Sequence, residues 1–179
     1  NAKGEFLGTT RSQLPQEAQK YKSAEEFVKS ELQNTKLVDK TTGEPLSVFT
    51  GQVGDFGINK PFKISRGDID NMYGEGIYFS SDIKVAQSYA TGGTRQGKVY
   101  EVYLNIKNPL TIKNKRWDNF IRSTANAEDK TAWLKRNGFD GVVDIGKGKH
   151  LNQIMVLDNS QVVHKSQLTD IWNKANNNY

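Results

Sequence analysis

Cysteine is absent from the 179 residues, so disulfides, thiolate zinc sites and cysteine nucleophiles are excluded together. No run approaches the roughly 18 apolar residues that a membrane span needs. No charged-then-apolar leader opens the chain, and Asn1-Ala2-Lys3, without an initiator methionine, reads as the edge of something longer. Histidine is scarce: a site built on His150 and His164 alone would lack its usual supporting ligands, and no metal is expected. Gly-x-Ser-x-Gly, Gly-x-x-x-x-Gly-Lys-Ser/Thr and Gly-x-Gly-x-x-Gly are all missing; Gly74-Glu75-Gly76 lacks the third glycine and precedes a strand rather than a helix. Standard ATPase and dinucleotide-fold readings therefore fall away.

What is present is enough for a core. Apolar residues make up 35%, and 16 Gly bring the total close to the roughly 45–50% of a soluble globular chain. Lys and Arg exceed Asp and Glu by 25 to 20, and the excess is uneven. Residues 1–89 hold 11 basic and 12 acidic side chains, residues 90–179 hold 14 and 8. A basic half attracts nucleic acid, a phosphate-bearing ligand or an acidic partner, or is merely a solvated face.

Residues 1–12 read as a tail, and Leu14 to Leu32 as helical, with a capping box at Ser23-Ala24-Glu25-Glu26 and an apolar stripe of Phe27, Val28 and Leu32. Strands are predicted at Leu46–Thr50, Gly76–Ser80, Val99–Leu104 (closed by Asn108-Pro109), Val142–Val143, Ile154–Leu157 and Val162–Val163. Residues 51–72 form a long Gly- and Asp-bearing loop, a length that is often functional. Helices are expected after a cap at Ser81 or Asp82 with Gly92-Gly93 as its stop, around Trp117 to Ile121, around Ala132 to Leu134 ending at Asn137-Gly138, and around Ile171 and Trp172. Gly146-Lys147-Gly148-Lys149 reads as a basic loop, solvated or, with His150, the rim of an acceptor site. The order of elements points to α+β. Residues 1–36 are assigned to a tail and helical adjunct, and 37–179 to the main domain.

Several islands then resemble one family. Gly74-Glu75-Gly76-Ile77-Tyr78-Phe79-Ser80, followed by Ala86 and Ser88-Tyr89, is similar to the Gly-x-Gly-Ile-Tyr-Phe … Ser-x-x-Tyr region of poly(ADP-ribose) polymerase-like ADP-ribosyltransferases. Val48-Phe49-Thr50-Gly51 resembles the family's apolar strand ending in His-Gly, and Asn152-Gln153-Ile154-Met155-Val156 its segment bearing a catalytic Glu. Leu37-Val38-Asp39, Gly43-Glu44-Pro45-Leu46, Leu104-Asn105-Ile106-Lys107-Asn108-Pro109-Leu110 and Gly138-Phe139-Asp140-Gly141-Val142-Val143 resemble the ADP-ribosyltransferase domains of phage and mobile-element polyvalent proteins.

The resemblance implies an ADP-ribosyltransferase fold, a split pair of antiparallel sheets with short flanking helices and NAD as co-substrate in the cleft. It implies mono-ADP-ribosyl transfer to a protein or nucleic acid, with slow NAD hydrolysis beside it. It further implies a phage or toxin-type effector acting in a bacterial cytoplasm, as a monomer or as one domain of a larger polypeptide. Tyr78 and Tyr89 would stack on the cationic nicotinamide ring, Gly51 would clamp the carboxamide, and Gln52, Phe79, Ser80 and Ser88 would complete the NAD site. Thr50, Tyr78 and Gln153 would be the catalytic set. Two positions depart from the family. Thr50 replaces a His, and its hydroxyl reaches less far. Gln153 replaces a Glu, and an amide can hold a ribose hydroxyl but bears no charge. Gln153 is thus native to an active enzyme, a mark of lost activity, or an engineered replacement. An inactive NAD- or ADP-ribose-binding domain and a basic nucleic-acid-binding module are the rival readings. Taken singly, Tyr78, Phe79 and Tyr89 are also ordinary packing residues, Thr50 a β-former, Gln153 a strand-edge polar residue, and Gly74 and Gly76 turn glycines.

Overall fold

The computed structural model describes residues 5–6, 9–57, 59–65, 71–91, 96–123, 126–145 and 152–176. In chain order, β1 (Glu5–Phe6) and β2 (Thr9–Thr10) pair with each other, and α1 (Leu14–Ala18) and α2 (Ala24–Ser30) follow. Next come β3 (Val48–Gln52), β4 (Ile77–Ser80), α3 (Ile83–Ala90), β5 (Lys98–Leu104) and β6 (Pro109–Thr111). The rest comprises α4 (Lys115–Ser123), α5 (Ala127–Arg136), β7 (Gly141–Val143), β8 (Gln153–Val156), β9 (Val162–Val163) and α6 (Lys165–Ala175). The α+β class is as expected.

Local chemistry explains the boundaries. The Ser23 hydroxyl accepts from the Glu26 amide at 3.1 Å, while the Glu26 carboxylate reaches back one residue beyond the cap to the Lys22 amide. Asp82 caps α3 by accepting from the Lys84 amide. The expected Gly92-Gly93 stop and the Lys147–His150 rim lie outside the described residues. The strand expected at 46–50 runs instead from Val48 to Gln52. Leu46 spends its amide on Leu37, whereas Gly51 and Gln52 pair with Val99 and Lys98 of β5. Asn108-Pro109 does not simply close a strand, because Pro109 begins β6, parallel to β7. A residue without an N–H is tolerated at the first position of an edge strand.

Seven strands follow one another in the order β6-β7-β8-β4-β3-β5-β9, antiparallel except for β6–β7. The succession is nearly cut in the middle. Five residue pairs join β3 to β5 and four join β4 to β8, but β3 meets β4 at the single pair Phe49–Ser80. In place of the expected split pair of sheets there is one seven-stranded sheet, with its shortest central pairing between β3 and β4. Strand alternation sends Val48, Ile77, Phe79, Val102 and Ile154 to one core, and Val142 and Met155 to a second with Leu110, Trp117 and Trp133.

A third cluster joins the two ends of the chain. Leu14, Ala18, Phe27, Val28 and Leu32 of the N-terminal segment pack with Val163 and Leu168. Gln19 donates to the Ala175 carbonyl, and the Trp172 indole donates to that of Tyr21.

Glu31 lies just beyond α2 at 4% exposure, and its Oε2 has no hydrogen-bond partner among the described residues. Burial, and then the nearby Glu17 charge, raise its pKa. A raised acid pKa contributes stability that is fully present below the ordinary glutamate value and is lost as pH rises through the folded value. Glu31→Gln is expected to stabilise the protein by on the order of 1 kcal/mol at pH 7–8 and to flatten its pH dependence. Urea midpoints from pH 4 to 8 check this; parallel curves for the two proteins would rule it out.

Candidate active site

Where β3 and β4 part, a cavity of about 530 Å³ opens, lined by both strands, α3, Gln153 and the segment that enters β4. That volume suits a small-molecule site of roughly 300–1,000 Å³. The register decides what faces it. Phe49 pairs with Ser80, and Ser80 with Gln153, so these three form one row across the sheet. Directly paired residues share a face, and Tyr78, two before Ser80, stands on that face as well. Thr50 and Phe79 alternate to the other side. Both border the cavity through the gap between the strands, Thr50 buried and Phe79 buried edge-on against Phe62 in the first core. Gln52 also borders it, its side-chain Oε1 accepting from the Lys63 amide at 3.4 Å.

Helix α3 forms the wall, and Gly51 allows it to come so close. A Cβ at Gly51 would lie 1.9 Å from the Ala86 carbonyl oxygen and 2.6 Å from the Ala90 amide nitrogen. The helix presents Val85, Ala86 and Tyr89 to the cavity, a set spaced at one helical turn. Tyr89 is 59% exposed at its mouth. Ser88 is not among the lining residues. It is exposed, and its hydroxyl donates to the Val85 carbonyl at 2.7 Å, so of the proposed NAD contacts it alone is not brought to the cavity.

Tyr78 is held at its far end. Its hydroxyl donates to the Gly74 carbonyl at 2.6 Å and accepts from the Tyr73 amide at 3.2 Å. Behind it the Tyr73 ring stacks at 6.5 Å between centroids and 19° between planes. The Tyr73 hydroxyl donates in turn to Asp144 Oδ2 at 2.6 Å. Burial pushes the Tyr78 phenol up to about 12. Burial, then the Asp144 carboxylate, raises that of Tyr73 still further. Both rings therefore stay neutral at physiological pH, and Tyr78 offers a rigid aromatic face rather than a base.

Gln153 is half-buried at the first position of β8. Asn152 before it takes a φ of +46°, a left-handed turn that Asn tolerates better than most residues. The Gln153 carbonyl accepts from the Asp144 amide at 2.9 Å.

Three nearby residues escaped the sequence reading: Tyr73, Asp144 and Asn71. Asn71 is buried in the cavity wall. Its Oδ1 accepts from Ser65, and its Nδ2 has no acceptor among the described residues. Only the register of β7 against β8 and the path of the loop bring them in. Among the described residues no group of His, Asp or Glu is arranged to hold a metal, and no helix is long and apolar enough to cross a membrane.

A family model described as ADP-ribosyltransferase in polyvalent proteins matches residues 40–170, from the turn before β3 into α6. No curated protein and no solved structure matches the chain.

Proposed function

The chain belongs to the ADP-ribosyltransferases of polyvalent proteins, and from that premise we propose that it is an NAD-dependent mono-ADP-ribosyltransferase with Tyr78, Thr50 and Gln153 as its working residues. In the reaction the bond between the nicotinamide nitrogen and ribose C1′ breaks. Both electrons go to the nitrogen, so nicotinamide leaves neutral and needs no proton. Positive charge passes to the ribose ring until an acceptor nucleophile adds at C1′ and releases its proton. The protein has to hold the two rings, exclude water and favour the developing charge.

The single observation that supports this reading is the one-pair junction between β3 and β4. Around it Tyr78, Gly51, Tyr89 and Gln153 border one cavity. An aromatic face suits a cationic ring and gains less from the neutral product. The bare backbone at Gly51 lets a flat carboxamide approach closely, and the Gln153 amide can hydrogen-bond a ribose hydroxyl. The acceptor is a protein or a nucleic acid, and the setting is a phage or toxin-type effector in a bacterial cytoplasm. Thr50 and Gln153 favour one second reading, a domain that binds NAD without turning it over.

Incubation with NAD labelled in its nicotinamide separates the two. Release of label well above a no-protein control is the expected result, with adenine-side label transferred when a lysate supplies acceptors. Saturable binding with no release would instead establish the inert binder. A chain that ignores NAD but binds nucleic acid, with an affinity falling steeply as salt rises, would overturn both.

A further inference from the structure

We propose, building on the transferase reading, that Asp144 supplies the negative charge that a glutamine at position 153 cannot. Val143 of β7 pairs with Ile154 of β8, and the next cross-strand contact is the Asp144 amide on the Gln153 carbonyl. Asp144 therefore continues the ladder opposite Gln153. Alternation from Val143 and Ile154 turns both side chains to the face that carries Tyr78 and Met155. Residues so opposed hold their Cβ atoms roughly 5 Å apart, which makes Asp144 and Gln153 neighbours on that face.

Among the described residues the carboxylate has little compensation. Asp144 is 6% exposed, and its Oδ2 accepts one hydrogen bond, from the neutral Tyr73 hydroxyl. No cationic side chain pairs with it among the described residues. A buried anion without a counter-charge is costly. It is best repaid where a positive charge forms nearby during reaction, and the ribose that loses nicotinamide is such a charge. Low local polarity lets the field reach it. Asp144 gives and takes no proton in this role. Its hydroxyl partner Tyr73, stacked on Tyr78, fixes the carboxylate relative to the aromatic wall.

The test is a cycle of Asp144→Asn, Gln153→Glu and the double variant, each read by nicotinamide release, NAD affinity and melting temperature. Asparagine preserves an acceptor for Tyr73 and removes only the charge. Asp144→Asn is expected to lower kcat roughly 10-fold or more while NAD affinity stays within about 3-fold. Gln153→Glu alone is expected to gain less than about 10-fold, because two adjacent carboxylates cannot both stay ionised cheaply. The double variant is expected to recover most of the loss. Wild-type turnover in Asp144→Asn, a parallel fall in affinity and kcat, or a double variant no faster than Asp144→Asn would overturn the proposal. Should Asp144→Asn fail to fold, Gln153→Glu decides: a gain above about 10-fold means that no carboxylate was already serving the site. A wild-type chain that releases no nicotinamide ends the transferase reading itself, whereas an active wild type matched by Asp144→Asn ends this proposal alone.

Discussion

Gly51→Ala is expected to destabilise the protein by about 3 kcal/mol or more and to abolish saturable NAD binding. The added methyl would sit 1.9 Å from the Ala86 carbonyl oxygen and 2.6 Å from the Ala90 nitrogen. Both are backbone atoms of α3, so no rotamer change can make room. Relief requires the whole helix to lift from β3. Gly97 resists that movement, since its amide donates to the Ala90 carbonyl at 2.7 Å, and a Cβ on it would lie 2.6 Å from that oxygen and 2.9 Å from the Gln52 carbonyl oxygen. Overpacking a tight contact costs roughly 1–3 kcal/mol where side chains yield, and rigid backbone places this site at or beyond the upper end. Urea unfolding measures the loss, and titration with NAD shows whether the cavity survives. A variant with the wild-type midpoint would mean that α3 stands further from β3 than described.

Tyr78→Ala carries the second large effect, a loss of about 100-fold in kcat/KM, equivalent to about 2.7 kcal/mol. Removing the ring takes away the flat wall proposed for the nicotinamide and uncovers Tyr73 behind it. Tyr78→Phe should lose far less, near 5-fold, since it keeps the wall and drops only the tie to Gly74 and Tyr73. The phenol, pushed up to about 12 by burial, stays protonated throughout the working range. Its titration should therefore leave no inflection in the pH–rate curve below about pH 10. Equal losses for Ala and Phe would shift the role from the ring to the hydroxyl and remove the stacking argument.

Much of the scaffold was legible because its signals are local. Ser23 and Asp82 announce helix starts, Val99 to Leu104 announces a strand, and Asn137-Gly138 marks a stop, with Gly138 at a φ of +76°. The site was less legible, because it is assembled by register. Nothing near Tyr78 in the chain points to Asp144, which arrives through two strand pairings and a tyrosine in between. Ser88 lies beside Tyr89 in sequence, yet a step of about 100° per residue turns it from the cavity while Ala86 faces in. Thr50 adjoins Gly51 but occupies the opposite side of the pleat from Gln153, a distinction that adjacency along the chain conceals. Pro109 misled for a similar reason, since its meaning depends on the edge strand it begins.

The helical cluster that fastens Gln19 and Tyr21 to Trp172 and Ala175 has a mechanical corollary. A host polypeptide entering near the first helix and leaving after the last would find its two attachment points side by side. Such a host could carry this fold as a loop-like insert with little spreading of its own backbone.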